Sequence, residues 1–195
     1  MLKHILILSS LMLTLVAKAD IAETTASVFK IDENTEYKSN WDMRTQRKFG
    51  VGASVGGNLG LFGMSFELNF EDENGAQAGF GAGPGYNAFA ILWKHNFESD
   101  YVSPYTTLGY ARWFNSSAST DDVSRSGVLS RSVSDSDKRA GHFATNFVTG
   151  SLGLQYNQLS GEAAGFSIFG ELTLLGEVSQ AVLIPAGSVG TVYYF

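Results

Sequence analysis

The chain has 195 residues, 16% of them charged, no cysteine and a formal net charge of −6, and its mean hydropathy is close to zero. Apolar residues are therefore spread out, and no stretch after residue 20 approaches the roughly 18–20 consecutive apolar positions of a membrane helix. The excess of acid argues against a nucleic-acid partner, which needs a basic face to displace phosphate counterions, whereas 22 glycines and 13% aromatics against three prolines favour an all-β chain with tight turns.

The first segment reads as a cleavable export signal. Lys3 is its positive end, residues 5–16 its apolar core, and Ala17-Lys18-Ala19 a small-residue cleavage site, with Ala17 and Ala19 at the recognised positions. A core this short, followed at once by small residues, does not make a membrane anchor. The expected division is a signal peptide over 1–19 and one β domain over 20–195. Losing Lys3 and Lys18 with the leader takes the 13 basic residues to 11 against 19 acidic ones, a formal charge of −8. An exported protein could use disulfides; this one must hold together without them.

After the leader the signal is period two. Residues 22–37 are a weak first strand, in which Val28, Phe29 and Ile31 are diluted by Lys30, Asp32 and Glu33. Over 47–57, Phe49, Val51, Ala53 and Val55 alternate with Lys48, Gly50, Gly52 and Ser54, and Asn58-Leu59 makes a turn. Over 62–71, Phe62, Met64, Phe66, Leu68 and Phe70 alternate with Gly63, Ser65, Glu67, Asn69 and Glu71. The glycine-rich run 72–85 reads as a loop, with 76–83 as the alternative eighth strand if 22–37 is a tail. Its GFGAGPG stretch lacks the flanking strand and helix of a nucleotide site.

Strands follow near 88–97, where Leu92 and His95 break phase, and at 104–114, where Tyr105 and Trp113 lie on one face and Leu108, Tyr110 and Arg112 on the other. The serine-rich, charged stretch 115–141 cannot form a core and is expected as a long surface loop. Val148, Leu152, Leu154 and Tyr156 define a strand over 145–156; Phe166, Ile168, Leu172 and Leu174 define one over 166–178, with Phe169 and Leu175 out of phase. Runs of about ten alternating residues match a tilted bilayer crossing. Alternation alone also fits a soluble β-sandwich or lipocalin-like barrel, which remains the competing fold.

The last strand places Val189, Thr191, Tyr193 and Phe195 on one face. Here the chain resembles the small Gram-negative outer-membrane β-barrels, in which an alternating aromatic strand ends in Phe. The resemblance implies a closed, antiparallel, up-and-down transmembrane barrel of eight strands. It further implies Tyr193 and Phe195 as a signal read by the barrel-assembly machinery, and outer-membrane lipid and lipopolysaccharide as surroundings. Short periplasmic turns and long outer loops then place 58–59, 98–102, 157–164 and Phe195 in the periplasm, and 72–85, 115–141 and 179–186 outside.

An eight-stranded interior is filled by side chains, so charges in it must be compensated. The lumen is expected to hold Lys48, Glu67, Glu71, Lys94, Arg112, Glu171 and Glu177 as a polar plug. Lys48, Glu67, Arg112, Glu171 and Glu177 are expected in its outer half, with Glu67, Arg112 and Glu171 meeting. Aromatic girdles are expected from Phe97, Tyr105, Tyr156, Tyr193 and Phe195 at the periplasmic boundary, and from Phe49, Phe70, Phe89 and Trp113 at the outer one.

No metal-ligand spacing is present, no cofactor is implied, and the two mature histidines, His95 and His142, fall at opposite ends of the barrel, so no catalytic residue is assigned. The leading function is non-enzymatic: envelope structure, or interaction with an unidentified surface ligand through the loops. A narrow channel for small or hydrophobic solutes and a lipid A-modifying enzyme are the alternatives.

Overall fold

A computed structural model describes residues 36–116, 129, 133, 143–179 and 181–195. A short helix, α1 (Asn40–Gln46), precedes eight strands: β1 (Phe49–Gly56), β2 (Phe62–Asn69), β3 (Asn74–Gly83), β4 (Tyr86–Asn96), β5 (Val102–Asn115), β6 (Ala144–Asn157), β7 (Phe166–Glu177) and β8 (Val182–Tyr194). Each strand pairs antiparallel with the next, and β8 returns to β1, closing the barrel. At the seam Phe49 and Phe195 exchange backbone bonds of 3.4 and 2.8 Å, and their rings stack. Along the length over which β1 and β8 pair, closure leaves no sheet edge to pair with another chain.

The polarity is the reverse of a soluble protein. Phe62, Met64, Phe66 and Leu68 of β2 point out, while Ser65, Glu67 and Asn69 point in. The exterior elsewhere carries Phe80, Leu152, Leu172 and Leu183, with Leu172 at 76% and Leu183 at 71% exposure. An apolar surface this continuous marks a surface built for another apolar phase, and a soluble sandwich would have turned it inward. The β-sandwich alternative is thereby overturned: the fold is a closed all-antiparallel barrel.

The eighth strand is β3, the alternative reading of 76–83, and the barrel closes without any strand from 22–37. Of that segment, Glu36 and Tyr37 are described, held to the β6–β7 turn by the Glu36–Ser160 bridge and a bond from Tyr37 N to Leu159 O of 2.9 Å; the rest, with the leader, lies outside the described residues. β3 escapes hydropathy patterning because, apart from Phe80 outside and Gln77 inside, both its faces are small. Ala76, Ala78 and Ala82 face out, and Gly75, Gln77, Gly79 and Gly81 face in. Gly79 and Gly81 are required because the 3-10 turn Gly57–Leu59 folds into the barrel. A Cβ on Gly81 would sit 2.0 Å from the Leu59 carbonyl oxygen, and one on Gly79 would sit 2.7 Å from the Leu59 side chain.

Using β3 reverses the ends of the first hairpin. Both chain ends of the barrel, with the turns at 70–73, 97–101 and 158–165, lie at what is here termed the terminal end. The turn at 57–61 therefore lies at the far end with the long connection from β5 to β6, not beside Phe195 as expected, and the turn at 70–73 moves the opposite way. Most of 115–141 lies outside the described residues; Leu129 and Val133 are buried against the far half of the lumen.

Gly81→Val should drive its side chain into the Leu59 turn and lower barrel stability by about 1–3 kcal/mol, the usual cost of overpacking. Gly187→Ala, whose Cβ meets nothing closer than 3.7 Å, should leave the urea midpoint unchanged. Equal midpoints for both variants would contradict the inward turn.

Candidate functional site

Among the described residues, buried charged side chains converge in the lumen. Glu67, on the inward face of β2, accepts from Arg44 Nη1 at 2.8 Å and from the Tyr194 hydroxyl at 3.0 Å on Oε1, and from Lys94 Nζ at 2.9 Å on Oε2. The side chains of Arg44, Glu67 and Lys94 are 1–3% exposed. Lys94 also donates to Gln155 Oε1 at 2.8 Å and lies 4.6 Å over the Tyr105 ring. From Gln155 the network runs through Asn157 to Ser103 and Ser167.

Arg44 arrives on α1, which is started by Ser39. The Ser39 hydroxyl accepts from Asp42 N at 3.3 Å, and Asp42 reaches back to Lys38 N at 3.1 Å, a reciprocal arrangement related to the capping box. That backbone bond, with a second from Gln46, holds the Asp42 carboxyl below the usual carboxylate range. Its contribution is complete above the ordinary carboxylate pKa and fades as pH falls through the lowered value.

The helix is stitched to the β4–β5 turn by Asn40 Nδ2 to Phe97 O at 3.0 Å, Ser99 N to Asn40 Oδ1 at 2.9 Å and Trp41 Nε1 to Asn96 O at 3.1 Å. Met43 and Arg44 then turn into the barrel mouth. Arg47 clamps the next residues to the closing strand, donating to the Tyr37 hydroxyl at 2.7 Å, the Tyr193 hydroxyl at 3.3 Å and Tyr194 O at 2.8 Å. Burial is the largest influence on the Arg47 guanidinium and works against its charge, but the bonds to Tyr37 and Tyr193 prevail and its pKa is raised.

Glu171 sits higher in the lumen, half-buried, accepting from the hydroxyls of Tyr105 at 3.0 Å and Ser188 at 2.9 Å. The space left between Ser54, Gln77, Lys94, Tyr105 and Glu171 is a cavity of about 10 Å³, room for roughly one water. Beyond it the lumen becomes apolar: Leu59, Leu92, Trp113, Phe147, Leu175 and Ile184 pack together, with Leu129 and Val133 above. Trp113 donates to Asn58 O at 2.8 Å, pinning the inward turn. Among the described residues the lumen is filled from end to end.

Of the residues expected to form one cluster, the structure brings Glu67 together with Lys94 and leaves the others apart. Arg112 faces outward and is exposed, because Tyr105, Thr107, Ala111 and Trp113 take the inward phase of β5. Lys48 precedes β1 and its side chain is exposed at the terminal end. Glu177 is buried at the far rim, accepting from Ser179 N at 3.0 Å. Glu67 lies in the terminal half because of the hairpin reversal. Glu171 is inside but is held by hydroxyls and does not meet Arg112. The expected girdles change for the same reasons: Phe49 and Phe70 join Phe97, Tyr156 and Phe195 at the terminal end, while Tyr105 and Trp113 are buried in the lumen.

Sequence reasoning missed Arg44 altogether. Its only signal was Ser39-x-x-Asp42 ahead of a helix-compatible stretch. His95 faces outward between Trp93 and Phe97, 3.1 Å from Asn74 Oδ1, and His142 lies outside the described residues.

No protein-family model and no curated protein sequence matches the chain. Among solved structures it is similar to the N-terminal β-barrel domain of Pseudomonas aeruginosa OprF, with a TM-score of 0.55 and 15% identity over 76% of this chain and 98% of that one. It is also similar to the Yersinia pestis outer membrane protein Ail, with a TM-score of 0.44 and 14% identity over 76% of this chain and 99% of that one. The OprF likeness is one of fold: this chain is a closed eight-stranded β-barrel, as that domain is.

Glu67→Ala leaves two buried cations without their shared carboxylate. It should lower the unfolding free energy by about 3–5 kcal/mol, measured by urea titration of the refolded barrel. Lys94→Met, which leaves Glu67 with Arg44 and Tyr194, should cost less. The reverse order would contradict the central place of Glu67.

Proposed function

We propose that the chain is a non-enzymatic integral outer-membrane protein, exported by the general secretory pathway, whose sealed barrel carries surface loops into the medium. The supporting observation is the pairing of an apolar exterior with a lumen closed by ions, hydrogen bonds and packed aromatics. In a bilayer every backbone group must be satisfied internally, which a closed barrel does. In water the same exterior would leave its apolar area exposed at about 25 cal/mol per Å².

Because periplasmic turns are short and outer loops long, the far end, with the long connection between β5 and β6, faces the medium. The terminal end, with α1, faces the periplasm. Outer-membrane lipid and lipopolysaccharide are then the surroundings. The loops are the route to any surface ligand, and envelope structure is the role that needs no further chemistry. The channel reading has little to support it, since the cavity beside Lys94 and Glu171 in the lumen is only about 10 Å³. A lipid-modifying reading needs a histidine or serine assembly at lipid level, which the described residues do not supply.

Tyr193 and Phe195 are proposed as the assembly signal for the barrel-assembly machinery. Both sit on the outward face of the closing strand, where Phe195 pairs with Phe49. Deleting Phe195 should lower the amount of barrel reaching the outer membrane several-fold while leaving the assembled fraction heat-modifiable on a gel. Unchanged outer-membrane levels would refute the signal. Recovery of the mature protein as a soluble monomer without detergent would refute the membrane reading as a whole.

A further inference from the structure

The barrel wall is not of even height. β7 stays paired with β8 up to Val182, but β1 pairs with β8 only as far as Gly56–Ser188. Since Phe49 and Phe195 exchange both backbone bonds, the residues of β8 in the same phase as Phe195 turn their peptide groups toward β1. Above Ser188 these are Gly187, Pro185 and Leu183, and there β1 has already turned into the lumen. Pro185 occupies a position whose missing N–H has no strand to reach, which is where a proline is tolerated in a sheet. It also removes a donor that an added peptide strand would need.

The result is a notch in the wall at the far rim, above the short β1–β2 hairpin. It is a pocket of about 360 Å³ lined chiefly by Leu61, Pro84, Tyr86, Trp113, Pro185 and Ala186. Its size and its apolar, aromatic lining suit a small apolar ligand. The Tyr86 and Trp113 rings stack at 4.6 Å to form its back wall. The mouth is continuous with the exposed apolar exterior through Leu61, Phe62 and Leu183, which are 43%, 63% and 71% exposed.

We infer that this notch holds an acyl chain of a lipid of the surrounding outer leaflet, entering sideways through the gap above β1 and β2. The inference rests on the proposed membrane-spanning reading, because only there is the notch bathed by acyl chains. Continuity with the lipid-facing exterior decides the occupant: a chain sliding in from the leaflet stays in an apolar phase, whereas a soluble ligand has to leave water first. The wall opens at this corner because the Gly57–Leu59 turn that plugs the lumen is withdrawn from it.

The three tryptophans are Trp41, Trp93 and Trp113, and their positions supply the test. The full mature chain carrying Trp41→Phe and Trp93→Phe keeps Trp113 alone and is refolded into vesicles of phospholipid brominated on the acyl chains. Trp113 fluorescence should be quenched, and the quenching should fall at least threefold when Ala186→Phe fills the notch or Gly187→Phe narrows its mouth. A Cβ on Gly187 makes only ordinary contacts, 3.7 Å from the Glu171 carbonyl oxygen and 3.9 Å from the Leu172 side chain, so the second variant retains the fold if the first does not.

A sibling with Trp41→Phe and Trp113→Phe keeps the lipid-facing Trp93, 46% exposed, and reports insertion by itself. Quenched Trp93 with unquenched Trp113, or equal Trp113 quenching with and without the blocking variants, would overturn the notch and leave the membrane reading intact. Unquenched Trp93 would overturn both. Quenching of Trp113 only by free brominated fatty acid in detergent, and not by vesicle lipid, would overturn the leaflet as the source.

Discussion

Glu67 is the one carboxylate on which both buried cations at the terminal end depend. Arg44 comes from the helix outside the barrel and Lys94 from β4 inside it, and each meets a different oxygen of the same group. Removing water from three charges is expensive unless their remaining lone pairs and protons are also satisfied. Tyr194, Gln155 and the Asp72 carbonyl, which accepts from Arg44 Nε at 3.1 Å, do that. The arrangement ties helix, hairpin and closing strand to a single point, so the mouth is shut by the same contacts that make its charges tolerable.

The rest of the lumen follows from a similar constraint. An interior this narrow holds side chains and little else, and this chain divides it into a polar terminal half and an apolar far half. The division explains why the inward phase of several strands is not uniformly polar: Leu92, Leu175 and Ile184 point inward without leaving the barrel. The far half is packed by an inward turn of the chain itself, which demands glycine on β3 and leaves the wall above β1 and β2 low. Sealing the pore and notching the wall are two consequences of one turn.

How much of this was readable from sequence depended on which face carried the contrast. Strands such as β2, with bulky residues out and Ser, Glu and Asn in, declared themselves. β3, with Ala out and Gly in except for Phe80 and Gln77, carried little contrast and read as a loop, although the glycines that weaken the contrast are the trace of the turn packed against two of them. On β5 the same ambiguity hid the phase, because Tyr105 and Trp113 fill the lumen as large aromatics while Arg112 points out. Arg44 could not be read from alternation at all, since it enters from a helix beyond the strands. The reversed hairpin followed from one misplaced strand, and it carried Glu67, Phe49 and Phe70 to the opposite end.

The claim that the described elements seal the lumen is tested most directly by planar-bilayer recording from the purified full chain. The sealed barrel predicts no steady openings of porin size across the voltage range in which the bilayer is stable. Steady, ohmic openings of that size from the folded, heat-modifiable protein would contradict it.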